Sequence, residues 1–194
     1  MTTLNSVCVY CGASTRVDPL YTQAATDLGK ALASENIQLV YGGGRLGLMG
    51  AVADGALSEN GKVIGYMPDH LEDLEQGHAS LTELHIVKDM HTRKRCMFEK
   101  ANAFVVLPGG FGTMDEMFEI ITWKQIELHD KPLIVLNING YWDPLKALVE
   151  NTVSEKFAKD HHRAFFNFVD RIEDVVPLLK SLPEEGFKAH PELI

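Results

Sequence analysis

Six short apolar segments alternate with stretches of helical periodicity, and this alternation restricts the possible folds of the chain more than any other feature. The segments read SVCVYC, IQLVY, KVIGYM, TELHIV, AFVVL and PLIVLN. Most are apolar along their whole length, which indicates strands buried on both faces, as in a parallel sheet covered by helices. Strands and helices taken in turn predict an α/β fold, a Rossmann-type doubly wound and mostly parallel sheet with right-handed connections.

Capping signals mark the predicted helices. Asp18 followed by proline predicts a helix that runs to Ser34. The other helices are predicted from near Leu46 to about Glu59, from Asp89, from Thr113, from near Asp143, and from about Asp170 to Leu182. A chain of 194 residues without a long linker predicts one domain over 1–194, with a loosely held tail over about 183–194.

Composition and charge exclude several classes of function. A formal net charge of −9 disfavours binding to nucleic acid or to an anionic membrane. The amino terminus lacks the pattern of a signal peptide, and no apolar run is long enough to span a bilayer. We therefore expect a cytoplasmic protein.

The three cysteines do not suggest a disulfide framework. Cys8 and Cys11 form a C-x-x-C pattern, which could serve redox chemistry or metal binding, but their setting favours the buried end of a first strand. The eight histidines have no spacing typical of a metal site, and we predict no metal.

A first glycine loop, YGGGRLGLMG, follows the second predicted strand. Gly42, Gly44 and Gly47 have the G-x-G-x-x-G spacing of a dinucleotide site. The motif follows the second strand instead of the first, and Asp69 is a poor substitute for the acidic residue expected after the next strand. A tight strand-to-helix turn is the alternative explanation.

A second glycine loop, PGGFGTMDE, follows the strand AFVVL. Its glycines allow backbone N–H groups to approach an anion, and a helix start near Thr113 adds further donors and a favourable dipole. This arrangement would bind a phosphate even in an acidic protein. Thr113 and Glu116 also fit a capping box, so that Glu116 could be either a functional carboxylate or a helix cap.

A third segment, DMHTRKRCMFEK, lies between the two loops, with Asp89 as a predicted N-cap. A helix here places Met90, Arg93, Lys94 and Met97 at spacings of three and four residues. The basic residues could form a solvated face. They could also face the same crevice as the glycine loops, because the helix would begin at a strand end.

Taken together, YGGGRLGLMG, MHTRK and PGGFGTMDE resemble the LOG family of cytokinin riboside 5'-monophosphate phosphoribohydrolases, and the similarity extends over most of the chain. The resemblance implies hydrolysis of the N-glycosidic bond of an adenosine 5'-monophosphate, often N6-substituted, which releases the base and ribose 5-phosphate. It also implies a homodimer with a Rossmann core, without nicotinamide or a metal, so no cofactor is expected. The label lysine decarboxylase, which some relatives carry, has no supporting pyridoxal phosphate motif in this sequence.

The resemblance also implies site residues. Arg93 and Glu116 would be catalytic. The residues expected to bind the substrate or its phosphate are Gly12, Ser14, Gly43, Gly44, Glu75, Met90, Lys94, Gly109, Gly110, Gly112 and Thr113. Ala13, where serine is frequent in the family, and Arg95, an extra charge after the R-K pair, depart from the family pattern. Either departure could tune which base is accepted.

Glu116 would stabilise positive charge on the ribosyl ring or orient water, while Arg93 would stabilise the leaving base or hold the substrate by paired hydrogen bonds. Asp115 is the alternative carboxylate, and Phe118 and Trp123 are expected to be core or dimer contacts. Two rival functions remain open. One is a non-catalytic carrier of a nucleotide or of molybdenum cofactor, and the other is a dinucleotide-dependent oxidoreductase based on the first loop alone.

Overall fold

Seven parallel strands form a single sheet within the described part of the chain. The protein is represented by a computed structural model that describes residues 4–182, except the side chains of residues 73 and 75. The strands are β1 Ser6–Tyr10, β2 Gln38–Tyr41, β3 Val63–Pro68, β4 Glu83–Val87, β5 Ala103–Val106, β6 Leu133–Leu136 and β7 Asn167–Val169. Their order is β4-β3-β2-β1-β5-β6-β7, and every neighbouring pair is parallel.

Helices cover both faces of this sheet. They are α1 Pro19–Ser34, α2 Gly47–Ser58, α3 Glu72–Glu75, α4 Met90–Lys100, α5 Phe111–Gln125, α6 Asp143–Ser154 and α7 Val175–Ser181. The core of one face includes residues of α1, α2 and α7, and the core of the other includes residues of α4, α5 and α6. Among the described residues, no helix has the length and apolar character needed to cross a membrane.

Strand β1 shows why the apolar segments are continuous. Val7 and Val9 belong to the core beneath α1 and α2, whereas Cys8 and Tyr10 belong to the core beneath α4 and α5. Successive side chains of a strand point to opposite faces, so a strand covered on both sides needs apolar residues at every position. The predicted α/β fold with a doubly wound parallel sheet is confirmed.

Several predicted boundaries were also correct. The carboxylate of Asp18 caps α1 by accepting a 2.9 Å hydrogen bond from the N–H of Leu20. Asp89 caps α4 in the same way, accepting from the N–H of Thr92 at 2.8 Å. All six predicted strands are present.

Other details of the prediction were wrong. The segment TELHIV forms an edge strand with exposed residues, not a strand buried on both faces. The last helix begins at Val175 after a short 3₁₀ turn, instead of near Asp170. Strand β7 and the short helix α3 were missed because neither has a long periodic pattern. The predicted tail over 183–194 lies outside the described residues.

The direction of winding reverses between β1 and β5. From β1 the chain proceeds outward through β2, β3 and β4, then returns to place β5 on the other side of β1. Loops leaving the carboxyl ends of strands at such a reversal diverge and leave a crevice. The loops after β1 and β5 therefore border the expected ligand site.

Candidate active site

Hydrogen bonds join the loops at the carboxyl ends of β1 and β5. The N–H of Gly12 donates to the carbonyl oxygen of Pro108 at 3.1 Å, and the N–H of Leu48 donates to the carbonyl oxygen of Gly12 at 2.9 Å. A Cβ on Gly12 would lie 3.2 Å from the Cα of Gly109, so this close approach favours glycine. The two loops and the start of α2 consequently form one connected wall.

A cavity of about 210 Å³ lies between this wall and helix α4. Both residues predicted to be catalytic, Arg93 and Glu116, border it. The complete lining consists of Cys11, Gly12, Ala13, Met49, Leu71, Met90, Arg93, Gly110, Gly112, Thr113 and Glu116. Five of the residues predicted to bind substrate are in this set: Gly12, Met90, Gly110, Gly112 and Thr113.

Arg93 is held in the cavity by the first glycine loop. It is only 3% exposed, and its Nη2 donates a 2.8 Å hydrogen bond to the carbonyl oxygen of Gly42. A Cβ on Gly42 would lie 1.9 Å from that nitrogen. Glycine is needed here for the guanidinium to keep this position, because any side chain would occupy its space.

Helix α5 presents its amino end to the same cavity. The helix begins at Phe111, with Gly110 as the N-cap residue and with no side-chain cap. An α-helix leaves its first N–H groups without intrahelical partners, and its dipole favours an anion there. A Cβ on Gly110 or Gly112 would meet nothing within 4 Å, so both glycines leave open space beside these donors.

The predicted start of this helix at Thr113 was two residues late, and the capping box is not formed. Thr113 is the third residue of α5 and not its N-cap. Its side chain is buried against Gly109, where a Cβ would lie 2.1 Å from the Thr113 Oγ1. Glu116 lies one turn into the helix and borders the cavity instead of capping.

Lys94 connects the two helices that carry the candidate catalytic pair. Its Nζ lies 2.9 Å from Oε1 of Glu119 and 3.1 Å from Oδ2 of Asp115, both on α5. Burial lowers the pKa of Lys94, but the hydrogen bonds with Glu119 and Asp115 outweigh burial and leave the pKa above its usual value. The ammonium group is not part of the cavity lining, and a contact between Lys94 and substrate stays a prediction.

The remaining predicted residues do not border this cavity. Ser14 and Gly109 border a neighbouring space of about 310 Å³ that shares Gly12, Ala13 and Gly110 with the first cavity. Gly43, with φ at +83°, accepts a 3.0 Å hydrogen bond from the N–H of His78. Gly44 forms an isolated antiparallel bridge with Gly77. Glu75 ends α3, and its side chain is outside the described part of the structure.

The C-x-x-C cysteines are buried, Cys8 within β1 and Cys11 directly after it, as their sequence setting indicated. Burial, followed by the nearby charge of Glu116, raises the pKa of the Cys8 thiol well above its usual value. A thiol with a raised pKa is a poor nucleophile and metal ligand. No group of three or more metal-binding side chains is present in the described part of the chain.

Sequence reasoning missed four contributors to the site. Met49 and Leu71 border the cavity, and the carbonyl oxygen of Gly42 accepts a hydrogen bond from Arg93. Tyr141 donates a 2.6 Å hydrogen bond to the carbonyl oxygen of Gly109. Gly42 stands in the first glycine loop and could have been noticed there, but Leu71 and Tyr141 lie outside the three motifs that predicted the site.

Comparison with known proteins identifies the family. A family model described as "Possible lysine decarboxylase" matches residues 49–179. The chain is 42% identical over 180 residues to the cytokinin riboside 5'-monophosphate phosphoribohydrolase of Rhodococcoides fascians, a match that covers 92% of this chain and 91% of that protein. The chain belongs to the LOG family. Another LOG protein, a cytokinin riboside 5'-monophosphate phosphoribohydrolase of Arabidopsis thaliana, is 39% identical over 178 residues, covering 88% of this chain and 84% of the relative.

Solved structures with the same fold include more distant proteins. The molybdenum cofactor binding protein of Rippkaea orientalis superimposes with a TM-score of 0.70 at 20% identity, over 93% of this chain and 98% of that one. The molybdenum cofactor carrier protein of Chlamydomonas reinhardtii gives a TM-score of 0.69 at 17% identity, over 92% and 97% of the two chains. At these identities the likeness shows that this chain shares their fold and nothing further.

Proposed function

We propose that this protein hydrolyses the N-glycosidic bond of adenosine 5'-monophosphate and its N6-substituted derivatives, releasing the free base and ribose 5-phosphate. One observation carries the proposal: Arg93, Glu116 and the amino end of α5 border a single cavity. A basic group, a carboxylate and an anion-binding helix end are the groups that this reaction needs. The activity named for the relatives at 42% and 39% identity gives independent support.

The 5'-phosphate would bind at the amino end of α5. Backbone N–H groups between Gly110 and Thr113 supply donors, and the helix dipole adds a favourable field. These groups carry no net charge, which makes phosphate binding compatible with a net charge of −9. Binding energy gained from the phosphate would position the sugar for the reaction, so nucleosides without phosphate should react poorly.

Glu116 and Arg93 would act on the two ends of the breaking bond. Positive charge develops on the ribosyl ring, and a carboxylate nearby stabilises it and orients or deprotonates the attacking water. Negative charge develops on the base, where a guanidinium can bind it but is too weak an acid to donate a proton. Asp115 is a poorer candidate than Glu116, because it pairs with Lys94 and does not border the cavity.

The cavity also offers an apolar wall for the base. Met49, Leu71 and Met90 are apolar members of its lining, and the sulfur of Met90 lies 3.8 Å from Nη1 of Arg93. Flexible thioether side chains adapt to planar and irregular apolar ligands, which suits an adenine ring with or without an N6 substituent. Ser14, Gly43, Gly44, Glu75 and Lys94 remain proposed contributors to binding.

Chromatographic detection of free base tests the proposal directly. The purified protein is incubated separately with AMP, with N6-isopentenyl AMP, with adenosine and with NAD. Release of base from the monophosphates, at a rate far above that from adenosine, is the expected result. Tight binding of AMP without release of base would instead select a carrier, and binding of NAD alone would select an oxidoreductase.

We also propose that the protein acts as a homodimer in the cytoplasm. Phe118, Ile126 and Leu148 leave large apolar side chains exposed on or beside α5 and α6, and exposed apolar groups favour association. Trp123, in contrast, packs edge-on against Phe98 in the core. Light scattering on the purified protein would show twice the 21.6 kDa chain mass.

A further inference from the structure

Tyr141 is bonded to the glycine loop that begins α5, although 32 positions separate it from that loop. Its hydroxyl donates a 2.6 Å hydrogen bond to the carbonyl oxygen of Gly109. Tyr141 follows β6, so this bond links the ends of two neighbouring strands across the top of the sheet. Neither the LOG motifs nor the cavity around Arg93 includes this tyrosine.

The turn that carries Tyr141 is strongly fixed. Asn137 is buried, accepts a 2.6 Å hydrogen bond from the N–H of Trp142, and donates to Oδ1 of Asp143 at 3.0 Å. The Tyr141 ring packs edge-on against Trp142 at 4.9 Å and against Tyr21 at 5.7 Å, measured between ring centroids. A tyrosine held in this way presents its hydroxyl in one direction.

The bonded carbonyl belongs to the peptide unit that joins Gly109 to Gly110. In a planar trans peptide the C=O and the following N–H point in opposite directions. This peptide is flanked by two glycines, which can rotate more freely than other residues, so its orientation needs an external restraint. Gly110 borders both the cavity that contains Arg93 and the neighbouring space, whereas Gly109 and Tyr141 border only the neighbouring space.

We propose that Tyr141 is a positioning residue for phosphate recognition: its hydroxyl holds the Gly109 carbonyl away from the anion site, so that the Gly110 N–H faces the substrate phosphate. The inference rests on the proposed function insofar as the anion is the 5'-phosphate. Without the restraint, a flipped peptide would turn a carbonyl oxygen toward the phosphate, replacing attraction with repulsion. Tyr141 acts through the loop and need not touch the reacting atoms.

The test compares Tyr141→Phe with Tyr21→Phe as a matched control. Both changes remove one hydroxyl from the same aromatic cluster, but the Tyr21 hydroxyl makes no hydrogen bond to the glycine loop within the described residues. For Tyr141→Phe we expect KM for AMP and the inhibition constant of ribose 5-phosphate to rise about tenfold. The inhibition constant of free adenine should stay within about twofold of the wild-type value, and Tyr21→Phe should match the wild type in all three constants.

Binding measurements separate this inference from the proposed activity. If the wild-type protein releases no base, the proposed function fails, but AMP and adenosine affinities measured by calorimetry still test Tyr141. A loss confined to AMP supports the positioning role. Equal losses for AMP and adenosine, or unchanged binding of both, would overturn it, because a merely structural tyrosine has no means of selecting the phosphorylated ligand.

Discussion

Arg93 and Gly42 are joined by a 2.8 Å hydrogen bond from the guanidinium Nη2 to the carbonyl oxygen, across 51 positions of sequence. This bond shows what the first of the three consecutive glycines after β2 does: it holds the guanidinium of Arg93. The glycines of a dinucleotide fingerprint allow the backbone to approach a pyrophosphate. Gly42 has a different role: the guanidinium of the buried Arg93 occupies the space that a side chain at position 42 would need. The loop after β2 thereby orients a group on α4 toward the cavity.

Substitution of Gly42 by alanine should disable the site without unfolding the protein. The new Cβ would lie 1.9 Å from Arg93 Nη2, so the guanidinium must leave its place. Misplacement of a catalytic group by about 1 Å can cost on the order of 100-fold in rate, and we expect at least that loss in kcat/KM for AMP. Gly77→Ala is the control, since its Cβ would come no closer than 3.3 Å to Leu84. Full activity of Gly42→Ala would show that the reaction does not depend on Arg93 keeping this position.

Glu116→Gln should abolish base release while leaving the melting temperature close to that of the wild type. The helix begins at Phe111 and no side chain caps it, so loss of the Glu116 charge removes no cap. Rates should fall by about 100-fold or more, as expected for a general base or charge-stabilising group. Asp115→Asn serves as the matched control on the neighbouring position, and its turnover should remain within about threefold of the wild-type rate. A variant Glu116→Gln with normal turnover would exclude the catalytic role.

Lys94→Met distinguishes an anchor between helices from a substrate contact. The ammonium pairs with Glu119, which is 24% exposed, and with Asp115, which is 61% exposed. Because both carboxylates are partly exposed to solvent, we expect Lys94→Met to lower the free energy of unfolding by about 1–3 kcal/mol, less than for a fully buried ion pair. Urea unfolding should show a loss of stability of similar size for Lys94→Met and for Glu119→Gln, because each change breaks the same ion pair. Unchanged stability together with a higher KM for AMP would favour the substrate contact implied by the family resemblance.

Gly112→Asp should separate folding from phosphate binding. A Cβ at this position meets nothing within 4 Å, so the side chain fits, and an acidic residue in the first turn stabilises a helix by about 0.3–1 kcal/mol. The same negative charge would repel a phosphate at the amino end of α5. We expect an unchanged or slightly higher melting temperature with a rise of at least about tenfold in KM for AMP. Gly112→Ala, a neutral control, should bind AMP more tightly than the aspartate variant, and equal KM values would place the phosphate elsewhere.

The fold and the second glycine loop could be predicted because their signals are local, whereas the roles of Arg93 and Glu116 were predicted from the family resemblance. Continuous apolar strands, the caps Asp18 and Asp89, and the glycines of the second loop each follow from a few neighbouring residues. The contacts that sequence could not supply join distant segments. The hydrogen bond from Arg93 to Gly42 spans 51 positions, and the one from Tyr141 to Gly109 spans 32. No short sequence pattern encodes either contact. Thr113 was misread because a capping box and a third helical position have the same local sequence.

His129 should make the stability of the protein depend on pH below neutrality. It is buried, and its Nε2 lies 2.8 Å from the carbonyl oxygen of Ile120 while its Nδ1 accepts from the N–H of Lys131 at 3.2 Å. These partners fit the neutral ring, with the proton on Nε2. Burial lowers the pKa of His129 to about 4, from an ordinary value near 6.5.

Since the unfolded chain takes up a proton on His129 more readily than the folded protein, this contribution to stability is complete above about pH 6.5 and is lost as the pH falls toward 4. The full loss amounts to about 3 kcal/mol. Urea unfolding at pH 7 and at pH 4.5 measures it, with His129→Gln as the reference for all other titrating groups. The wild type should lose more stability than the variant between these two pH values. Parallel losses in the two proteins would show that His129 titrates alike in the folded and unfolded states.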